Sequence, residues 1–395
     1  MDTKDRIDFR VVIISNYLPD QQDSMLKFSK LIHSSLTNKK VNVETIRPIE
    51  RAGKLKFYLP YIEKWLFYID KYILFPIDLL AYVKNIKLEK KIIFHITDHS
   101  NALYALFLKS QSLVVTCHDV LAIRSAIGEI SKNSTKLTGR LLQKYIFMGL
   151  RSAPRIVCVS EKTARDLHRL IGDHTQKVTT ILNPLNFDYF PLSRENAILK
   201  TSRLGASLVN AIQQGFILHV GGNQWYKNRF RACEIYASMA REKLRRGVAI
   251  PQLLLAGKEP SAEIRRYVSE NSDLPIKFVI SPTTEELQAL YSVATALLFP
   301  SLEEGFGWPI LEAMACGCPV VTTGKPPMTQ VGGEAAIYID PTNISKSAYA
   351  LNEVTDWSNI QRSEHAQKGY ANLERFSKSE FIDHYLAAYS DVVKA

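Results

Sequence analysis

Three charged side chains and two glycine clusters carry the chemistry that this sequence offers. Glu304 and Glu312 stand with seven residues between them in the stretch FPSLEEGFGWPILEAMACGCPVVTT, residues 299–323. Gly305, Phe306, Gly307 and Trp308 lie between the two acids, at the entry to a helix-like run. Two carboxylates so placed, one before a helix and one on it, can grip two hydroxyl-bearing parts of one ligand. The helix N-terminus beside a glycine loop offers free N–H groups and partial positive charge to a phosphate. Earlier in the chain, Gly221-Gly222 follows an apolar run and Lys227-Asn228 comes shortly after. Glycines there let a phosphate approach the backbone, and Lys227 supplies a cation. His118 ends another apolar run, SLVVTC, where a histidine can face a ligand crevice. Together these residues suit a ligand that carries both phosphates and hydroxyls.

Short apolar runs alternating with helical periodicity must position these groups. Phe9–Ser15, Lys91–Thr97, Ser112–Cys117, Arg155–Val159 and Val178–Leu182 read as buried strands of one parallel sheet. Asn16–Ser24 is a polar turn at the end of the first strand, in position to contact an acceptor. Polar material of weak periodicity over 190–215 marks a boundary. A second series follows: Gly215–Val220, Gln252–Ala256, Ile276–Ile280 and Ala296–Phe299, with another strand starting at Pro319. The tail, Arg362–Val393, has helical periodicity throughout. The class is therefore α/β, with doubly wound parallel sheets.

Glu-x7-Glu enclosing Gly-Phe-Gly, followed by Glu-Ala-Met-Ala-x-Gly-x-Pro-Val-Val, resembles the signature of retaining glycosyltransferases of family 4. Gly221-Gly222 with Lys227-Asn228 is similar to that family's donor-diphosphate loop. VVTCHDV resembles its strand-His-Asp segment, and Ser160-Glu161-Lys162-Thr163 its following helix start. The resemblance implies the GT-B fold: two Rossmann-like domains facing a central cleft. They would span 1–195, with a crossover helix at 376–395, and 205–375. It implies catalytic roles for Lys227, Glu304 and His118. Donor contacts would come from Glu312, Gly221, Gly222, Asn228, Gly305, Phe306, Gly307 and Trp308. Glu304 would hold sugar hydroxyls, Glu312 ribose hydroxyls, and His118 the donor sugar and its phosphate. The donor would be a nucleotide-sugar such as GDP-mannose or a UDP-hexose, with no cofactor. The hexose would pass with retention to a glycan or polyprenyl-diphosphate-linked acceptor in surface polysaccharide synthesis. Some relatives have an arginine shortly before the lysine; here Asn223, Gln224, Trp225 and Tyr226 fill that stretch, and Arg229 stands at a different spacing. No two aspartates are separated by a single residue, so the Asp-x-Asp metal clamp is missing and a metal-independent enzyme is expected.

Charge narrows the partners. The chain of 395 residues has a formal net charge of +11, and residues 1–200 contain 31 Lys+Arg against 19 Asp+Glu, so the whole excess sits in the first half. That asymmetry calls for an anionic partner. Residues 51–92 interleave nine basic residues with tyrosine, phenylalanine and Trp65. Charges interrupt every window long enough to cross a bilayer. The composition fits either an amphipathic segment in a membrane interface or a helix pair with its aromatics turned into the core. Five cysteines without a matching ligand cluster read as reduced, buried thiols, and the charged N-terminus lacks a signal-peptide core. A cytoplasmic protein, peripheral on the inner membrane face, is expected. Two rivals stand beside this reading: a GT-B epimerase or hydrolase using no acceptor, and a basic nucleic-acid-binding protein. The latter lacks any helix-turn-helix, zinc-finger or RNA-recognition signature, so no nucleic acid is expected as a partner.

Overall fold

Runs of Val, Ile, Leu and Phe with no polar alternation suit strands covered on both faces, and they form parallel sheets here. The computed structural model describes residues 9–58, 60–86, 91–131, 133, 135–172 and 177–394. The chain divides into two compact units, Met1–Asn186 with Lys378–Ala395, and Phe187–Ser377. The segment after Asn186, including the Arg194–Lys200 helix, thus groups with the second unit. Gln288 of the Thr284–Val293 helix donates to the Phe190 carbonyl at 3.0 Å, and Arg203 forms a two-pronged ion pair with Glu286 at 2.9 and 2.6 Å.

The first unit holds β1 (Phe9–Ile14), β2 (Asn42–Ile46), β3 (Lys91–Ile96), β4 (Ser112–Cys117), β5 (Arg155–Cys158) and β6 (Val178–Thr180). They pair in parallel in the order β2-β1-β3-β4-β5-β6. The second holds β7 (Phe216–Gly221), β8 (Gln252–Gly257), β9 (Ile276–Ile280), β10 (Ala296–Phe299), β11 (Val320–Thr323) and β12 (Ile337–Ile339), in the order β12-β11-β10-β7-β8-β9. Strand direction of travel reverses between β1 and β3 in one sheet and between β7 and β10 in the other. Ligands bind at such reversals, beyond the carboxyl ends of the strands.

Two edge strands, β2 and β12, are absent from the sequence reading. Asn-Val-Glu-Thr-Ile in β2 alternates polar residues and is only half-buried, and β12 is a three-residue strand, Ile-Tyr-Ile. The His99–Phe107 segment is a 3-10 helix, and the tail breaks into Asn359–Leu373 and Lys378–Lys394 around a short 3-10 turn. The last helix packs on the first unit: Tyr385 bonds Thr116 at 2.9 Å, and Tyr389 bonds His95 at 2.8 Å.

The basic-aromatic stretch becomes a 3-10 turn, Ala52–Phe57, followed by helix from Glu63 to Asn85 with one π-turn, Asp70–Leu74. The fully buried Asp70 carboxylate accepts the backbone N–H groups of Ala52 and Gly53 at 2.8 and 2.9 Å and the Tyr17 hydroxyl at 2.7 Å. That carboxylate is what fixes the turn to the helix. Phe75 and Leu79 enter the core, whereas Ile73, Ile77 and Leu80 remain exposed. The segment therefore has a core face and a bare face at once. Among the described residues no helix is long and apolar enough to cross a membrane.

Candidate active site

In the second unit, the loops after β7 and β10 flank the strand reversal. Asn228 takes the left-handed conformation (φ 54°), which turns the chain from the glycine loop into the Arg229–Arg245 helix. Its side-chain amide donates to the Pro300 carbonyl at 2.9 Å, and Leu302 N–H donates to Tyr226 O at 2.8 Å. These two bonds tie one loop to the other. They bring Lys227 Nζ to 2.8 and 3.0 Å from the two oxygens of Glu304, whose side chain is only 7% exposed. The ammonium also lies 5.5 Å from the Phe299 ring centre, so the pair is held in partly dry surroundings where charge acts strongly.

Gly307 (φ 105°) sits at the start of the Trp308–Ala315 helix in a conformation that a side chain would strain. Phe306 turns inward, its ring edge-on to Trp308 at 6.3 Å and Phe376 at 6.0 Å. Its packing holds the Gly305–Gly307 backbone in place. Glu312, buried on that helix, accepts the Tyr291 hydroxyl at 2.9 Å. Burial, then the Glu312 charge, pushes the Tyr291 hydroxyl far up, so it stays a donor; Tyr189 is raised by the same two causes. Lys227 and Glu304 thus meet directly, while Glu312 is anchored through tyrosine.

Arg229 is not a second phosphate cation. It is buried, and its guanidinium donates to the carbonyls of Lys258 (2.8 Å) and Leu255 (3.1 Å) and to Asn223 Oδ1 (3.1 Å). Its work is to pin the loop after β8. Two neighbours absent from the sequence reading complete the glycine loop. Gly257 (φ 136°) pairs with Gly221, and a Cβ there would lie 2.2 Å from the Gly221 carbonyl oxygen. His219 donates from Nδ1 to Leu298 O at 2.9 Å, and burial drives its pKa down to about 4. Its Nε2 is buried without a hydrogen-bond partner, and a Cβ on Gly221 would lie 3.4 Å from it.

In the first unit, His118 follows β4. Its Nε2 lies 2.9 Å from the Thr97 carbonyl, which can only accept, so the proton sits on Nε2 and the neutral ring has its lone pair on Nδ1. The ring stands edge-on to Phe28 at 4.7 Å. Burial lowers the His118 pKa against the raising effect of Asp98, so the ring is neutral near pH 7. Beside it, Asp98 accepts from Asn16 at 2.5 Å and from Ser100 at 2.9 and 2.6 Å. Burial works to raise the Asp98 carboxyl, but His99, His118 and those hydrogen bonds outweigh it and hold it below the usual range. Asn16 lies in the polar turn singled out above; Asp98 and His99 gave no sequence signal, because a Thr-Asp-His after a strand reads as an ordinary connection.

A model described as Glycosyltransferase Family 4 matches residues 42–189, and one described as Glycosyl transferases group 1 matches residues 216–356. The chain belongs to family 4 of the glycosyltransferases. This glycosyltransferase is 26% identical over 281 residues to O-antigen chain mannosyltransferase B of Escherichia coli, covering 70% of this chain and 69% of that one. It is 24% identical to O-antigen chain mannosyltransferase RfbU of Salmonella typhimurium, over 52% of each chain. Its fold is GT-B, shared with Anabaena Alr3699/HepE in complex with UDP and glucose (TM-score 0.67, 14% identity, 97% and 99% coverage). The Thermosynechococcus elongatus sucrose-phosphate synthase is similar in fold (TM-score 0.68, 18% identity, 97% and 98% coverage). In this glycosyltransferase the two matched segments hold Asp98, His99 and His118, and the Lys227–Glu304 pair, respectively.

Proposed function

We propose that the protein transfers a hexose, of mannose or glucose type, from a nucleotide-sugar to a glycan or lipid-linked glycan acceptor in surface polysaccharide synthesis. The transfer retains the anomeric configuration and uses no metal. The O-antigen mannosyltransferase relatives support the substrate class. The observation that carries the chemistry is the Lys227–Glu304 pair beside the Gly221-Gly222 loop at the strand reversal.

Breaking the sugar–diphosphate bond places negative charge on the leaving oxygen and oxocarbenium character on the sugar. Lys227, the glycine-loop amides and the N-terminus of the Trp308–Ala315 helix would stabilise the leaving diphosphate, with the charge supplied by side chain and backbone. Glu304 would take sugar hydroxyls once Lys227 turns to the phosphates. Glu312, oriented by Tyr291, would take the ribose hydroxyls, and His118 would accept a donor hydroxyl through Nδ1. With no protein nucleophile assigned, the leaving phosphate would receive the acceptor proton on the face from which it departs. The anionic membrane surface expected from the charge, and the cytoplasmic location expected from the cysteines and the N-terminus, remain parts of this proposal.

The test is a thermal-shift panel of nucleoside diphosphates with the purified protein, then transfer from the stabilising donor in excess EDTA, with the product's anomeric configuration read by NMR. Retained configuration and EDTA-insensitive transfer are expected. Inverted product or chelator-abolished activity would sink the corresponding part. Release of free sugar or an epimerised nucleotide-sugar without transfer would favour the epimerase or hydrolase reading instead.

A further inference from the structure

We propose that His99 and Asp119 of the first unit hold a neutral sugar ring of the acceptor, so that the group extended is the end sugar of an existing glycan and not a phosphate. Its biological meaning rests on the proposed transfer, but the site is read by binding without turnover.

The loops after β1, β3 and β4 gather at the strand reversal of the first sheet and carry Asn16, Asp98, His99, His118 and Asp119. His118 N–H donates to His99 Nδ1 at 3.3 Å. A ring nitrogen that accepts carries no proton, so the N–H of His99 is at Nε2. That nitrogen lies 3.8 Å from Asp119 Oδ1, too far for the two to bond each other. Asp119 Oδ1 accepts the Leu121 N–H at 2.9 Å, which fixes the carboxylate beside the ring. The two side chains are 12% and 31% exposed, so a ligand can reach them. One hydroxyl can accept from His99 Nε2 and donate to Asp119, using both of its hydrogen-bonding roles. Asn16 adds a further acceptor. Its amide nitrogen donates to Gln22 at 2.8 Å and to Asp98 at 2.5 Å, yet Oδ1 of the same amide is buried without a partner. A buried acceptor left unfilled in this way calls for a donor, and a second hydroxyl of the same ring is one.

Charge separates a sugar from a phosphate. The cluster contains two carboxylates, and burial keeps His118 neutral. Cations on the neighbouring elements are already matched. Arg124 and Lys162 both pair with Asp166, at 3.3 and 2.7 Å, and Lys71 pairs with Asp20 at 2.7 Å. A phosphate here would meet like charge, whereas hydroxyls find two acceptors and a donor. The basic excess of the first half thus lies outside this crevice. The ring centres of His99 and His118 are 6.3 Å apart, so the acceptor ring would lie beside the group to which the proposed reaction gives a hydroxyl of the transferred sugar. The reaction that supplies the acceptor is then an earlier glycosyl transfer, one that leaves a neutral sugar at the end to be extended.

Saturation-transfer NMR on the full chain tests this with methyl α-D-mannopyranoside, methyl α-D-glucopyranoside and mannose 6-phosphate, each at millimolar concentration. At least one neutral pyranoside should take up saturation, and the phosphorylated sugar should not. Asp119→Asn keeps the bond to Leu121 but removes the charge. It should weaken pyranoside binding about tenfold, the lower end for a hydrogen bond to a charged group, and relax the discrimination against mannose 6-phosphate. His99→Ala should lose binding in the same way, and His99→Gln, whose amide N–H can stand in for the Nε2 proton, should recover part of it. The nucleoside-diphosphate thermal shift should be unchanged in all three variants, so loss of the donor reading and loss of this one are told apart. Silence from both neutral pyranosides would overturn the proposal. So would stronger binding of mannose 6-phosphate, or wild-type affinity and discrimination in Asp119→Asn.

Discussion

At the residue scale, Lys227 and Glu304 hold each other, although the proposed reaction sets them on different parts of the donor. A carboxylate therefore occupies the ammonium that a diphosphate would need. Glu304→Gln removes that competition. Nucleoside diphosphate, which has no sugar for Glu304 to hold, should bind about tenfold more tightly, the lower end for a hydrogen bond to a charged group. Transfer should fall in the same variant. Calorimetric titration alongside turnover checks both, and unchanged or weaker diphosphate binding would contradict the competition. Lys227→Ala should lower kcat by at least ~100-fold, the loss seen when one transition-state charge donor is removed; wild-type turnover would remove Lys227 from the mechanism. Both residues were legible in the sequence from their motifs. Their ion pair was not, because 77 positions separate them in sequence, and their loops meet through the β7–β10 pairing and the Asn228–Pro300 and Leu302–Tyr226 bonds.

At the element scale, the ends of β7, β8 and β10 shape the glycine loop, and β8 contributes through a residue with no motif. Gly257 lets the Gly221 carbonyl approach. Gly257→Ala would place its methyl against that oxygen in a left-handed conformation, so the loop must shift. We expect weaker nucleoside-diphosphate binding and a lower Tm in Gly257→Ala, read by titration and thermal unfolding; a variant matching wild type in both would show that the loop tolerates the shift. Strands with continuous apolar runs were legible because both of their faces are buried. β2 was not, because at a sheet edge its Asn-Val-Glu-Thr-Ile needs no continuous apolar run, and the three-residue β12 was not either. Helix face choice was equally hidden: the 51–92 composition fits core or surface, and contacts with distant residues such as Tyr17, Glu44 and Tyr104 decide which side chains turn inward.

At the scale of the whole molecule, each unit encloses a histidine that must stay neutral. Burial holds His95 down to about 3 in the first unit and His219 to about 4 in the second. Between those values and the unfolded pKa near 6.5, the unfolded chain binds more protons than the folded one. Stability from these groups is complete above about 6.5 and is lost as pH falls. The loss approaches ~1.4 kcal/mol per pH unit for each histidine, or about 2 kcal/mol each by pH 5. Chemical denaturation at pH 7.5 and 5.0 should show it, and His219→Gln should flatten the dependence for the second unit. Equal stability at the two pH values would mean that these rings open to solvent.

The amino-acid order alone determined the parallel α/β class and the two series of strands, and it singled out the charged residues to which the proposal gives phosphate and hydroxyl chemistry, since apolar runs and glycine spacing are local properties. Tertiary structure decided which charges meet, which arginine is consumed by carbonyls and which helical rows stay bare. Those outcomes depend on contacts between residues far apart in the chain, and such contacts leave no local pattern.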